Sequence, residues 1–137
     1  MRHLVFSLAR LPDLNLRVWA PPGDLPAQAT MAASPTDRQW LKKLMAAGGI
    51  SHLMRSGGWR FWGAPIRLLR MIGASYRENA DVDLYHINWL QCALPLPANG
   101  KPALISVLGN DMMLLKLPLM RHLLRRVMKQ RKVVICP

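Results

Sequence analysis

The chain has 137 residues, enough for one domain with a hydrophobic core and short for two. Half of it is apolar (51%) and 19% is charged, which excludes a disordered, low-complexity chain. Nineteen Lys and Arg oppose seven Asp and Glu, so a formal charge of +12 favours anionic partners unless the balancing acidic surfaces belong to another part of the protein.

Cys92 and Cys136 stand alone, without C-x-x-C spacing or a nearby His pair. That pattern argues against a disulfide scaffold, a zinc site or a redox motif and implies no metal, with a reducing cytoplasm as the default compartment. The opening MRHLVFSLARLPD has too brief an apolar run for a signal-peptide core, and no apolar run reaches the ~18 to 20 residues of a membrane span. The expected location is cytoplasmic, with peripheral contact at the inner membrane face.

In chain order, Arg2 to Arg10 fits a short helix or a strand, with the balance toward helix. Leu14 to Trp19 alternates apolar and polar residues as a strand does, and the Pro- and Ala-rich stretch from Ala20 through Met31 reads as an irregular loop. Ser34-Pro35-Thr36-Asp37 is a helix start: a capping hydroxyl, a proline in the first turn and an acid where the helix dipole favours it. This helix should run to about Ala47 and stop at Gly48-Gly49. A second short helix is expected from Ile50 to Arg55, followed by a Gly- and Trp-rich break from Ser56 to Gly63. Ala64 to Asn79 carries Ile66, Leu69, Ile72 and Gly73 close to helical spacing.

The second half alternates strand and helix more regularly. Asp83 to Leu90 has strand periodicity, Pro95 and Pro97 interrupt it, and Gly100-Lys-Pro102 turns into the apolar run Ala103 to Leu108. Short apolar runs of this kind suit strands covered on both faces. Leu119, Met120, Leu123, Leu124, Val127 and Met128 make one helical stripe, and Val133 to Cys136 is a closing strand. Strands alternating with helices imply βαβ crossovers and a parallel sheet. The expected fold is α/β: one partial Rossmann-like domain over residues 1–137, an incomplete parallel sheet with flanking helices.

DVDLYHINWLQ (Asp81 to Gln91), GKPALISVLGND (Gly100 to Asp111) and RKVVICP (Arg131 to Pro137) together resemble consecutive strands of family 4 glycosyltransferase N-terminal domains. In that family a strand with an aromatic or His near a Trp-Leu pair is followed by a GKP-type turn. A strand ending in His-Gly-Ser-Asp or a variant comes next, then a basic helix and a strand ending in Pro or Ser. LRVWAPPG (Leu16 to Gly23) is similar to the family's early strand and proline-glycine loop. The resemblance covers about 55 residues well, and its specificity lies in the order of the motifs. One departure is Leu108, which stands where the family has histidine before the glycine. The resemblance implies the acceptor-side, N-terminal part of a GT-B enzyme that moves a sugar from a nucleotide-sugar donor to an acceptor. The donor would bind a C-terminal domain that this chain lacks, so the chain alone should hold no cofactor and be inactive.

Candidate acceptor-side residues follow from strand ends. Gly109, Asn110 and Asp111 come after a strand, where open parallel sheets place ligands, and supply close backbone approach and hydroxyl-binding groups; helix capping is their competing role. His86, Asn88 and Gln91 lie on or just past the neighbouring strand, with His86 and Asn88 on one face. No triad partner for His86 is evident, and the Gly pairs lack the Lys and Ser or Thr of a P-loop. Lys116, Arg121, Arg125, Arg126, Lys129, Arg131 and Lys132 form an acid-free basic segment suited to an anionic surface, once the apolar stripe has packed on the sheet. A non-catalytic basic protein binding an anionic membrane surface or nucleic acid is the second expectation. Nucleic acid would use Trp59, Arg60 and Trp62, but loop tryptophans more often anchor their own domain. An exposed closing strand would also invite association through a sheet edge.

Overall fold

The computed structural model describes residues 2–50, 52, 63–107, 115–130 and 132–136. It divides into two compact units, Met1–Arg67 and Leu68–Pro137. The chain is mixed α/β, with two short parallel sheets and helices beside them.

In the first unit, helix α1 spans Arg2–Leu8 and strand β1 spans Leu16–Val18. Strand β2, Ala29–Met31, lies parallel to β1 with Leu16 opposite Ala29 and Val18 opposite Met31. The irregular loop expected through Met31 therefore ends earlier. Three residues are too few to show an alternating pattern, and it is pairing with β1 that makes them a strand. Helix α2, Pro35–Ala46, starts as its sequence dictates: Ser34 Oγ accepts a hydrogen bond from the Asp37 amide at 3.1 Å, and proline occupies the first turn. It stops where Gly48 takes a φ of 84° and its amide reaches the Met45 carbonyl, a left-handed cap that favours glycine. Leu41 and Leu44 are its buried residues.

Helix α3, Gly63–Glu78, runs from the first unit into the second. Its Arg67 guanidinium lies 5.0 Å over the Trp40 ring, a cation–π contact. Ile72, Gly73 and Ser75 are buried, whereas Ile66, grouped with them by spacing, is exposed. The expected helix at Ile50 to Arg55 falls mostly outside the described residues, as does the Ser56 to Gly63 break.

The second unit holds strands β3 (Tyr85–Asn88), β4 (Ala103–Ser106) and β5 (Val133–Cys136), parallel and in that spatial order. Tyr85, Ala103 and Val133 stand side by side, as do Asn88, Ser106 and Cys136 at the other end. The two crossovers differ. β4 reaches β5 through helix α4, Pro118–Gln130, but β3 reaches β4 through a 3-10 turn, Leu90–Ala93, and a proline-containing loop. Pro95 and Pro97 leave no room there for a longer helix.

The core of this unit is built from Tyr85, Ile87, Ala103 and Ile105 on one sheet face, with Leu90, Cys92, Ala93 and Leu96 of the turn region and Leu124 and Val127 of α4. Fully burying Leu90, Ile105 and Leu124 contributes roughly 1.5 to 3 kcal/mol each in gross terms. The Tyr76 and Tyr85 rings meet edge to face at 5.2 Å, and the Tyr76 hydroxyl donates to the Cys92 carbonyl at 3.1 Å. Asn99 Nδ2 in turn donates to the Tyr85 hydroxyl at 3.0 Å, so the phenol ends are tied down.

Two expectations are corrected here. β3 and β4 are not covered equally on both faces: residues alternate between buried and half-buried, and β5 is largely exposed. The apolar stripe of α4 does not all turn inward either. Leu124 and Val127 are buried and Met120 and Met128 half-buried, but Leu119 and Leu123 face solvent. The helix contacts the one-turn 3-10 segment, and that support is too small to cover a six-residue stripe.

Candidate functional site

Parallel strands share an end, so residues that close them gather along one edge. Here the closing residues are Asn88, Ser106 and Cys136, in register across β3, β4 and β5. Because alternate residues face opposite ways, this row lies on the face opposite Ile87 and Ile105, together with His86. His86 Nε2 and Ser106 Oγ are hydrogen-bonded at 3.0 Å, diagonally across the two strands. The imidazole can donate to the hydroxyl or accept from it, according to its tautomer. Both side chains are half-buried, which keeps the pair ordered and still within reach of a ligand.

The chain leaves β3 under strain. Trp89 has a φ of 76° and ψ of 119°, a backbone region that a bulky L-residue rarely enters. Its amide donates to the Ser106 carbonyl at 3.3 Å, so the strained residue is held against the same β4 end, and its side chain is exposed. Two residues later Gln91 Oε1 is shielded from solvent with no hydrogen-bond partner among the described residues. An amide oxygen in that condition is an acceptor lacking a donor.

Of the six residues chosen from the sequence for the acceptor side, three are described. His86 and Asn88 sit together on β3, and Gln91 lies within the 3-10 turn beyond it. Gly109, Asn110 and Asp111 lie outside the described residues. Ser106 and Trp89 escaped the sequence reading. Ser106 could have been found by aligning the β3 and β4 segments at their C-terminal ends, whereas nothing in the sequence signals a positive φ at tryptophan.

In the basic segment, Lys116, Arg121, Arg125, Arg126, Lys129 and Lys132 are exposed, and Arg131 lies outside the described residues. Cys92 is buried and Cys136 is exposed. Among the described residues no group of three or more His, Cys, Asp and Glu could hold a metal ion, and no helix is long and apolar enough to cross a membrane.

No protein-family profile, curated protein or solved structure matches the chain.

Proposed function

We propose that the second unit is the acceptor-side part of a glycosyltransferase of the GT-B, family 4 type, built on a Rossmann-like sheet. The observation that carries this reading is the His86–Ser106 hydrogen bond beside Asn88 on the closing edge of a parallel sheet. That edge is where open α/β sheets take their ligands. An edge that presents imidazole, hydroxyl and carboxamide groups has the donor and acceptor complement of a saccharide's hydroxyls. The ordered resemblance of Asp81 to Gln91 and Gly100 to Asp111 to family 4 strands supports the same reading.

In this reading His86, Ser106, Asn88 and Gln91 orient the acceptor so that one hydroxyl faces the sugar to be transferred. The nucleotide-sugar donor is held by a second domain, and the charge that develops on its leaving phosphate is stabilised there. The chain by itself transfers nothing.

The test is ligand-observed NMR of the purified chain against a panel of mono- and oligosaccharides, alongside incubation with nucleotide sugars and the same panel. Saturation transfer to at least one saccharide, lost in H86A and in S106A, is the expected result. No transfer signal to any saccharide overturns the acceptor assignment. Glycosylated product from the chain alone overturns the assignment of the donor site to another domain.

A further inference from the structure

Helix α4 has a consistent inward side. Leu124, Val127, Met120 and Met128 cluster within about a third of the helix circumference at 100° per residue, and Leu124 is only 1% exposed. Leu119 and Leu123 lie one turn apart on the outward flank, 71% and 38% exposed, and Leu117 just ahead of the helix is 55% exposed. Arg126 follows them on the same flank, and Arg121, Arg125 and Lys129 occupy the other. Arg125 and Lys129, with Met128 between them, line an open cleft of about 310 Å³. From Lys116 to Lys132 there is no acidic residue to neutralise any of this charge.

Charge alone would suit any polyanion, but the leucines discriminate. A nucleic-acid backbone offers phosphates and nothing that would bury an exposed Leu117, Leu119 or Leu123. A bilayer surface offers both anionic headgroups and, a few ångströms beneath them, hydrocarbon. We propose that the outward face of α4 docks on an anionic lipid bilayer, with Leu117, Leu119 and Leu123 entering the headgroup boundary and the flanking Arg and Lys residues contacting lipid phosphates. The helix lies on the membrane and does not cross it. None of these residues belongs to the closing edge of the sheet, so docking does not presuppose that the edge binds a saccharide.

The experiment is co-sedimentation of the purified full chain with phosphatidylcholine vesicles, with and without phosphatidylglycerol, over a range of salt. Binding should require phosphatidylglycerol and weaken as salt rises. Leu119→Asp with Leu123→Asp should lower partitioning at least about tenfold, as should the milder Leu119→Ser with Leu123→Ser to a smaller degree. Because both leucines are exposed, each double variant should keep the wild-type circular dichroism and melting midpoint. Arg125→Gln with Lys129→Gln should lower partitioning about thirtyfold. Arg10→Gln with Arg70→Gln removes the same charge from exposed positions elsewhere and should change it little. Wild-type binding by both leucine variants, or equal loss in the Arg10 and Arg70 control, overturns the proposal. So does failure to bind anionic vesicles, or tighter binding to a duplex oligonucleotide that ignores the leucine substitutions.

Discussion

His86 Nε2 and Ser106 Oγ stand 3.0 Å apart although their strands pair His86 with Leu104 and Asn88 with Ser106. The bond crosses the ladder diagonally and locks the register of β3 on β4 at its closing end. Ser106→Ala and His86→Ala should each destabilise the fold by about 0.5 to 1.5 kcal/mol. A double-mutant cycle in urea should return a coupling energy of the same sign and at least about 0.5 kcal/mol. Strict additivity would mean that the pair does not interact in solution.

How much of this was legible in the sequence depended on the range of the interactions involved. Helix α2 was readable because its signals are local: Ser34 caps the Asp37 amide three residues away, and Gly48 ends the helix through Met45. β3, β4 and β5 were readable because alternation marks the first, the Gly100-Lys-Pro102 turn and an apolar run mark the second, and a short apolar run marks the third. β2 was not, since Ala29–Met31 is a strand only by virtue of β1. Nor was the division of the α4 stripe, because spacing shows which residues share a flank and not how wide a support the 3-10 turn provides. The candidate edge was half visible. His86 and Asn88 follow from period two, but Ser106 joins them only once the register is fixed.

Trp89 tests whether backbone strain is held at that edge. A φ of 76° penalises every residue with a Cβ, so Trp89→Gly and Trp89→Ala lose the same indole but differ in strain. Trp89→Gly should be the more stable of the two by about 1 kcal/mol or more, measured by urea unfolding. Equal stability would show that the residue relaxes to negative φ in solution.

The two ends of α2 give a contrast between caps. Ser34→Ala removes the acceptor for the Asp37 amide and should cost about 1 kcal/mol. Gly48→Ala both violates a φ of 84° and brings the new Cβ to 2.9 Å from His52 Cβ. It should cost more than about 1 kcal/mol, whereas Gly49→Ala, with a φ of 79° and open space around it, should cost only the backbone term. Thermal melts of the three variants should rank Gly48→Ala below Gly49→Ala.

Tyr76 should make the stability of the second unit sensitive to alkaline pH. Burial pushes its phenol above the ordinary value of 10.0, and the neighbouring Cys92 and Tyr85 push in the same direction. The folded state therefore holds the phenol proton more tightly than the unfolded state does. That preference is fully present below pH 10.0 and is lost as pH rises through the folded-state value. Above about pH 10 stability should fall with a contribution of up to about 1.4 kcal/mol per pH unit from this group. Tyr76→Phe removes that contribution together with the hydroxyl bond to the Cys92 carbonyl. At neutral pH the variant should be about 1 kcal/mol less stable than the wild type, and the gap should narrow and then reverse at alkaline pH. Urea midpoints of both proteins between neutral and alkaline pH give the comparison; parallel curves would mean that the Tyr76 phenol is not buried in the folded chain.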